Sequence, residues 1–152
     1  MSMDCSLEID TAQDLAVLSR LAAEALGLPE VSISRDGALW RVAAAATWIT
    51  LSNERERDPQ FAAAFGFTAN TVVSFRLDKF RDIAATSEVF AVSLHVLNQV
   101  AGDAVLLFNG EFPLLLRKGG EWTLNSNASE WHIAPRIRES GIPFKYTSLP
   151  RL

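Results

Sequence analysis

A single turn constrains the fold of this sequence more than any other feature. Asn109-Gly110 stands between the apolar segments 105–108 and 112–116. A two-residue hairpin turn of type I′ needs positive φ at both central residues, which asparagine and glycine tolerate best. Pro113 cannot donate a hydrogen bond to a neighbouring strand, so the second strand must lie at a sheet edge or contain a bulge. The segment is therefore predicted to be an antiparallel hairpin.

Apolar periodicity places further strands and helices along the chain. Alternating apolar and polar residues are typical of half-buried strands, whereas apolar residues three and four apart are typical of amphipathic helices. The predicted strands are 5–9, 31–35, 40–48, 71–77, 105–108, 112–116 and 122–124, with turns at Asp36-Gly37 and Gly119-Gly120. The predicted helices are 11–26, a short one at 59–65, and 78–102. From about residue 126 the periodicity is lost, and an irregular C-terminal tail is expected.

This order, roughly β-α-β-β-(short α)-β-α-β-β-β, predicts an α+β fold. An antiparallel sheet with two long helices packed on one face would satisfy it. The 152 residues fit a single domain spanning 1–152. If 40–48 is one strand, Trp40 and Trp48 share a face, and both are expected in the core or on the sheet. The residues expected to be largely buried are Leu18, Leu26, Phe75, Ile83, Phe90, Leu94, Leu97 and Leu107.

The composition favours a cytoplasmic protein. No apolar run reaches 18 residues, so no membrane-spanning segment is predicted. The first fourteen residues hold four acids and no base, whereas a secretory signal needs a basic start before an apolar core. Cys5 is the sole cysteine, so no intrachain disulfide can form and a reducing compartment is expected.

The net charge of −4 is unevenly distributed. Residues 1–60 hold ten acids and five bases, whereas residues 61–152 hold eight acids and nine bases. An acidic first half argues against nucleic acid as a direct ligand, because phosphate binding requires a basic surface. The same acidity suits a basic protein partner, although it also simply favours solubility.

No catalytic, metal-binding or cofactor-binding motif is apparent, so the sequence does not predict an enzyme. His95 is expected on the polar side of its helix and His132 in a loop, where a pair with Glu130 is the one acid–histidine arrangement conceivable. The glycine turns lack the spacing of a phosphate-binding loop. The alternating carboxylates Glu54, Glu56 and Asp58 lack the glycine and further oxygen ligands of a calcium loop. No cofactor and no metal are predicted.

Three segments resemble a known family. They are VSFRLDKF at 73–80, GDAVLLFNGE at 102–111 and LLLRKGGEWTLN at 114–125. They are similar to the SitI-type immunity family, whose members are partnered with toxins exchanged between bacterial cells in swarming-inhibition systems. The resemblance implies a small cytoplasmic protein that binds and blocks a cognate toxin domain. The matching positions are turns, caps and strand residues, so the resemblance carries over no interface.

Two hypotheses of function follow. The first is a toxin-neutralising immunity protein, and the alternative is a small-ligand-binding or scaffold α+β domain. For the first, we expect the partner surface at Glu54, Glu56 and Asp58, because a basic toxin cleft, such as that of a nuclease, would complement these carboxylates. The sequence does not predict the oligomeric state.

Overall fold

The computed structural model describes residues 3–53 and 59–152 and shows an α+β protein. Nine strands of the described residues join one sheet, and four α-helices accompany them. The strands are β1 (Met3–Ile9), β2 (Ile33–Asp36), β3 (Leu39–Ala43), β4 (Thr47–Ser52), β5 (Thr71–Leu77), β6 (Ala104–Phe108), β7 (Phe112–Lys118), β8 (Glu121–Asn125) and β9 (Phe144–Thr147). The helices are α1 (Leu15–Ala25), α2 (Pro59–Phe65), α3 (Asp82–Gln99) and α4 (Ile133–Ser140).

The sheet is largely antiparallel, which confirms that part of the fold prediction. The strand order is β2-β3-β4-β5-β1-β6-β7-β8-β9, and only β8 and β9 pair in parallel. Strands β5 and β6 each pair antiparallel with β1, from opposite sides. They are therefore parallel to each other, and α3 connects them across β1.

The two glycine turns between β6 and β8 form as predicted. Asn109 and Gly110 have φ values of 51° and 74°, and Gly119 and Gly120 have 58° and 80°. Both turns join antiparallel neighbours. The register of β6 and β7 shifts at the pair that contains Pro113, so the bulge required by that proline is present within an interior strand.

The segment from Ile33 to Ser52 differs from the prediction in two respects. The first hairpin turns at Gly37-Ala38 rather than Asp36-Gly37, because Asp36 pairs with Leu39. Only Gly37 of the turn has positive φ, at 60°, so the glycine occupies the first central position.

The predicted strand 40–48 is wrong, because it is divided into β3 and β4. The carboxylate of Glu88 on α3 holds the intervening turn. It accepts hydrogen bonds from the amide of Ala46 at 2.9 Å and from Oγ1 of Thr47 at 2.9 Å. Sequence periodicity could not reveal this break, because its cause lies 42 residues away on a helix.

The C-terminal tail, expected to be irregular, contains a 3₁₀ segment at Ser126–Trp131, then α4 and β9. The buried amide of Asn125 anchors it by donating to the carbonyl of Pro113 at 2.7 Å. The Trp131 ring then packs edge-on against Phe90 at 6.2 Å and Phe108 at 4.8 Å. The elements are too short for a periodicity to stand out, and these long-range contacts stabilise them.

One face of the sheet, here called the packed face, carries alternate residues such as Cys5, Leu7, Val73 and Phe75. These form one apolar core with the buried side chains of α1 and α3. Helices α1 and α3 contact each other, and both contact β4. On the opposite side, α2 contributes to a smaller cluster: Phe61, Phe65, Phe67, Ala69, Val105 and Leu107.

The expected core is confirmed in part. Leu18, Phe75, Phe90, Leu97 and Leu107 are buried, and Leu26 and Leu94 are half-buried. The prediction for Ile83 is wrong, because 84% of its surface is exposed. Ile83 lies two turns before Phe90 on the same side of α3. Phe90 is covered by Trp131 and Arg136, whereas Asp82 and Ile83 at the helix start are exposed.

Candidate partner-binding surface

The most extensive candidate surface is the side of the sheet opposite the packed face, here called the open face. It is formed by alternate residues of four adjacent strands, β3, β4, β5 and β1: Arg41, Ala43, Trp48, Thr50, Ser74, Arg76, Asp4 and Ser6. Each of these side chains is exposed or half-buried. Because successive strand residues point to opposite faces, the same alternation that buries Ile49 and Phe75 exposes their neighbours.

Two rows of side chains cross the open face. In the first row, Ala43 pairs with Trp48, Trp48 with Arg76, and Arg76 with Asp4. Directly paired residues have Cβ atoms about 4.5–5.5 Å apart, so each residue of the row lies beside the next. Asn109 lies at the end of this row. Its side-chain Oδ1 accepts a hydrogen bond from the backbone amide of Asp4 at 3.1 Å, and its backbone amide donates to the backbone carbonyl of Asp4 at 2.8 Å.

The second row is rich in hydroxyl groups. Arg41 pairs with Thr50, Thr50 with Ser74, and Ser74 with Ser6. Hydroxyls can both donate and accept hydrogen bonds, and these side chains are much shorter than the indole of Trp48 in the neighbouring row. The row therefore offers uncharged polar groups beside an aromatic side chain.

The charged residues of the open face pair with acids of the same surface. Nε of Arg76 lies 3.4 Å from Oδ1 of Asp4, and Nη2 of Arg41 lies 3.5 Å from Oδ2 of Asp36. Pairs this exposed contribute roughly 0.2–1 kcal/mol each. Their effect here is to leave neither arginine as an isolated positive charge.

The open face is concave. A depression of about 1100 Å³ is lined by both rows and reaches from Trp48 to the Asn109-Gly110 turn. Trp48 is 61% exposed within it, although it lies on an interior strand. The arrangement can receive a convex partner.

A family model described as SitI3-like matches residues 3–135. The chain belongs to the SitI3-like family. The match extends from β1 into α4, and so includes every strand that contributes to the open face. No curated protein and no solved structure matches the chain.

The partner residues predicted for this SitI3-like protein, Glu54, Glu56 and Asp58, lie outside the described residues. The described chain stops at Asn53, after β4, and resumes at Pro59, where α2 begins. The role of these three carboxylates in partner binding therefore stays a prediction.

Both histidines of the SitI3-like protein are described. Nε2 of His95 lies 2.9 Å from Oε2 of Glu24, so His95 joins α3 to α1 through a partner 71 residues away that the sequence did not indicate. His132 adopts a left-handed conformation, with φ of 53°, just before α4. Among the described residues, no hydrogen bond joins His132 to Glu130, so the acid–histidine pair considered from the sequence is not formed.

Cys5 is a core residue of β1. Only 1% of its surface is exposed, and burial, together with the nearby charge of Asp4, raises the pKa of its thiol to about 12. A protonated, enclosed thiol is a poor nucleophile and a poor metal ligand.

In the described part of the chain, no three His, Cys, Asp or Glu side chains are grouped to hold a metal ion. Nor is any described helix both long and apolar enough to cross a membrane.

A second candidate surface lies at the start of α3, here called the helix-start surface. Phe80 and Ile83 are 87% and 84% exposed there, beside a depression of about 390 Å³ lined in part by Met3, Phe108 and Trp131. The sequence assigned Ile83 to the core and therefore missed this surface. Phe80 lies in the 3₁₀ turn before α3 and Ile83 in its first turn, and their exposure could have been found only by knowing which elements cover this end of the helix.

Proposed function

We propose that this SitI3-like protein is an immunity protein that binds and neutralises a cognate bacterial toxin domain without catalysis of its own. Membership of the SitI3-like family over residues 3–135 is the observation that carries the proposal. The proposed setting is the cytoplasm of a cell exposed to interbacterial competition. The proposed architecture keeps both long helices on one face, which leaves the part of the other face beyond the α2 cluster available to the partner.

The open face supports this role. A stable protein complex buries roughly 800 Å² on each partner. Four adjacent strands held in a continuous ladder could form the centre of such an interface, with little conformational entropy to lose on binding. Trp48, near its centre, is of a residue type that often dominates binding energy.

The acidic first half of the chain supports a basic partner. The formal charge of residues 1–60 favours approach of a basic cleft, such as that of a nuclease, and electrostatic steering raises association rates to about 10⁸–10⁹ M⁻¹s⁻¹ at low salt. We place Glu54, Glu56 and Asp58 at the edge of the interface. Reversing all three to lysine should slow association most at low salt, and an unchanged association rate would remove this assignment.

Co-expression with the product of the adjacent toxin gene tests the proposed function. Cells that express the toxin alone should stop growing, cells that express both proteins should grow, and the two proteins should coelute from a sizing column. A toxin encoded beside a different family member serves as the control and should remain toxic. Undiminished toxicity of the cognate toxin, with no complex on the column, would contradict the proposal.

The alternative, a small-ligand-binding or scaffold domain, is less well supported. Small-ligand sites are mostly enclosed and apolar, with few polar groups. The depression of about 1100 Å³ is instead a wide surface lined by charged and hydroxyl side chains of the open face. A surface of this kind suits a protein partner better.

A further inference from the structure

The open face contains one residue that an ordinary solvated sheet does not explain. Antiparallel sheets often turn one face to water, and that face then carries polar residues. Ser6, Thr50, Ser74 and the two arginine–carboxylate pairs fit this description. Trp48 does not, because it exposes 61% of its surface although it lies on the interior strand β4.

We propose that the toxin docks on the open face, with Trp48 as the apolar anchor, and that it presents there a convex and uncharged element. Aliphatic or aromatic side chains of this element would pack on the indole. Its amide or hydroxyl groups would face the hydroxyl row of Thr50, Ser74 and Ser6. This inference rests on the immunity function proposed above and assigns a surface and a partner chemistry to it.

Charge complementarity specifies the uncharged character of the docking element. Arg76 is paired with Asp4, and Arg41 with Asp36. A charged group of the toxin arriving here would lose its hydration and would have to break one of these pairs to gain a partner. An uncharged element leaves both pairs intact while it covers them. The central contact should therefore depend weakly on salt, unlike the steering predicted for Glu54, Glu56 and Asp58.

The shape of the face specifies the convex character. The hydroxyl row forms a floor of short side chains, and Trp48 and the Asn109-Gly110 turn both line the depression above it. A loop or helix end that enters this depression would be surrounded by the indole, the Arg76 guanidinium and the Asn109 amide. Anchors that dominate affinity typically occupy such fully desolvated centres.

The test uses binding kinetics of the full-length protein with the purified product of the adjacent toxin gene, at low and at moderate salt. Trp48→Ala should accelerate dissociation by about 30-fold or more, the change expected of a dominant interface residue. Its association rate and salt dependence should stay close to those of the wild type. Tyr146→Ala is the matched control, because Tyr146 is a 50%-exposed aromatic on the edge strand β9. It should change dissociation by less than about 3-fold.

Two further variants separate the alternatives. The double variant Asp4→Asn, Arg76→Gln removes a charge pair but keeps the shape, and should bind within a few-fold of the wild type. Phe80→Ala removes the most exposed apolar residue of the helix-start surface and should bind like the wild type. Equal urea midpoints for all the variants establish that each is folded.

Each outcome has a distinct meaning. If Trp48→Ala dissociates from the toxin at the wild-type rate, the open-face assignment is wrong. The same holds if only Phe80→Ala loses toxin binding. In both cases the proposed immunity function stands, because the wild type still binds the toxin. If the double variant binds the toxin more than 10-fold more weakly and with a changed salt dependence, the docking element is not uncharged. If the wild type neither binds the toxin nor protects cells from it, the proposed function itself fails.

Discussion

Replacing Arg117 by alanine should destabilise the fold more than any change to an exposed charged residue. Arg117 lies on β7, and its buried guanidinium reaches the end of α3. Nη2 donates to the carbonyl of Val100 at 2.8 Å, Nε donates to that of Gly102 at 2.9 Å, and Nη1 donates to that of Leu97. The last carbonyls of a helix lack partners within the helix, so this side chain acts as its cap. The cation also lies 5.6 Å from the centre of the Trp122 ring.

The expected magnitude follows from these contacts. A hydrogen bond to a charged group contributes roughly 1.5–3 kcal/mol, but three that share one side chain do not add fully. Water can reach the carbonyl of the exposed Gly102 after truncation, whereas Leu97 is buried. We therefore expect Arg117→Ala to lower the free energy of unfolding by about 3–5 kcal/mol, because the carbonyls of Leu97 and Val100 lose a charged donor at buried residues. That is a large part of the 5–15 kcal/mol typical of a domain.

Urea unfolding followed by far-UV circular dichroism measures this loss. The matched control is Lys145→Ala, because Lys145 is 69% exposed and makes a single 3.3 Å pair with Glu121. The control should cost less than about 1 kcal/mol. Hydrogen exchange should also show the last turn of α3 opening first in Arg117→Ala. If the two variants unfold within about 1 kcal/mol of each other, the capping role assigned to Arg117 is wrong.

Three further outcomes are expected. Gly102→Ala should lower the free energy of unfolding by about 2–5 kcal/mol, because φ is 119° and a Cβ would lie 1.8 Å from a backbone carbonyl oxygen. In Gly119→Ala the Cβ meets open space, so that variant should lose only about 1 kcal/mol, and equal losses in urea unfolding would contradict the steric reason. Cys5 should react with a thiol reagent at neutral pH only on unfolding, since burial raises its pKa to about 12, and rapid labelling of the native protein would contradict this. The hydrogen bond from Lys118, at 2.7 Å, lowers the pKa of Asp103 below its unfolded value, so the contribution of Asp103 to stability is present above that value and is lost as pH falls through the folded pKa. The stability difference between the wild type and Asp103→Asn should therefore shrink in acid, and a difference that stays constant would refute the linkage.

The two hairpins between β6 and β8 were predictable from sequence because their causes are local. Positive φ at Asn109-Gly110 and Gly119-Gly120 is a property of the residues themselves, and each turn fixes which strands become neighbours. The bulge at Pro113 follows from a missing amide hydrogen. Such features need no knowledge of the rest of the chain.

The elements that were missed depend on distant contacts. The C-terminal 3₁₀ segment, α4 and β9 are short, and their stability comes from the Asn125 bond to Pro113 and from Trp131 on Phe90. The polar side assigned to His95 was sound, yet its partner Glu24 lies on another helix. The exposure of Ile83 likewise depends on Trp131 and Arg136, which pack on Phe90 two turns further along α3. A periodicity measures one element at a time and cannot report what another element covers.

The candidate surface depends on the same kind of distant contact. Had residues 40–48 formed one strand, Trp48 would share the face of Trp40. The break between β3 and β4 instead folds the chain back, so that Ala43 pairs with Trp48 and Trp40 pairs with Leu51. Trp40 then lies on the packed face and Trp48 on the open face. Glu88 on α3 holds this turn through Ala46 and Thr47, and so helps to keep the proposed anchor on the open face rather than in the core.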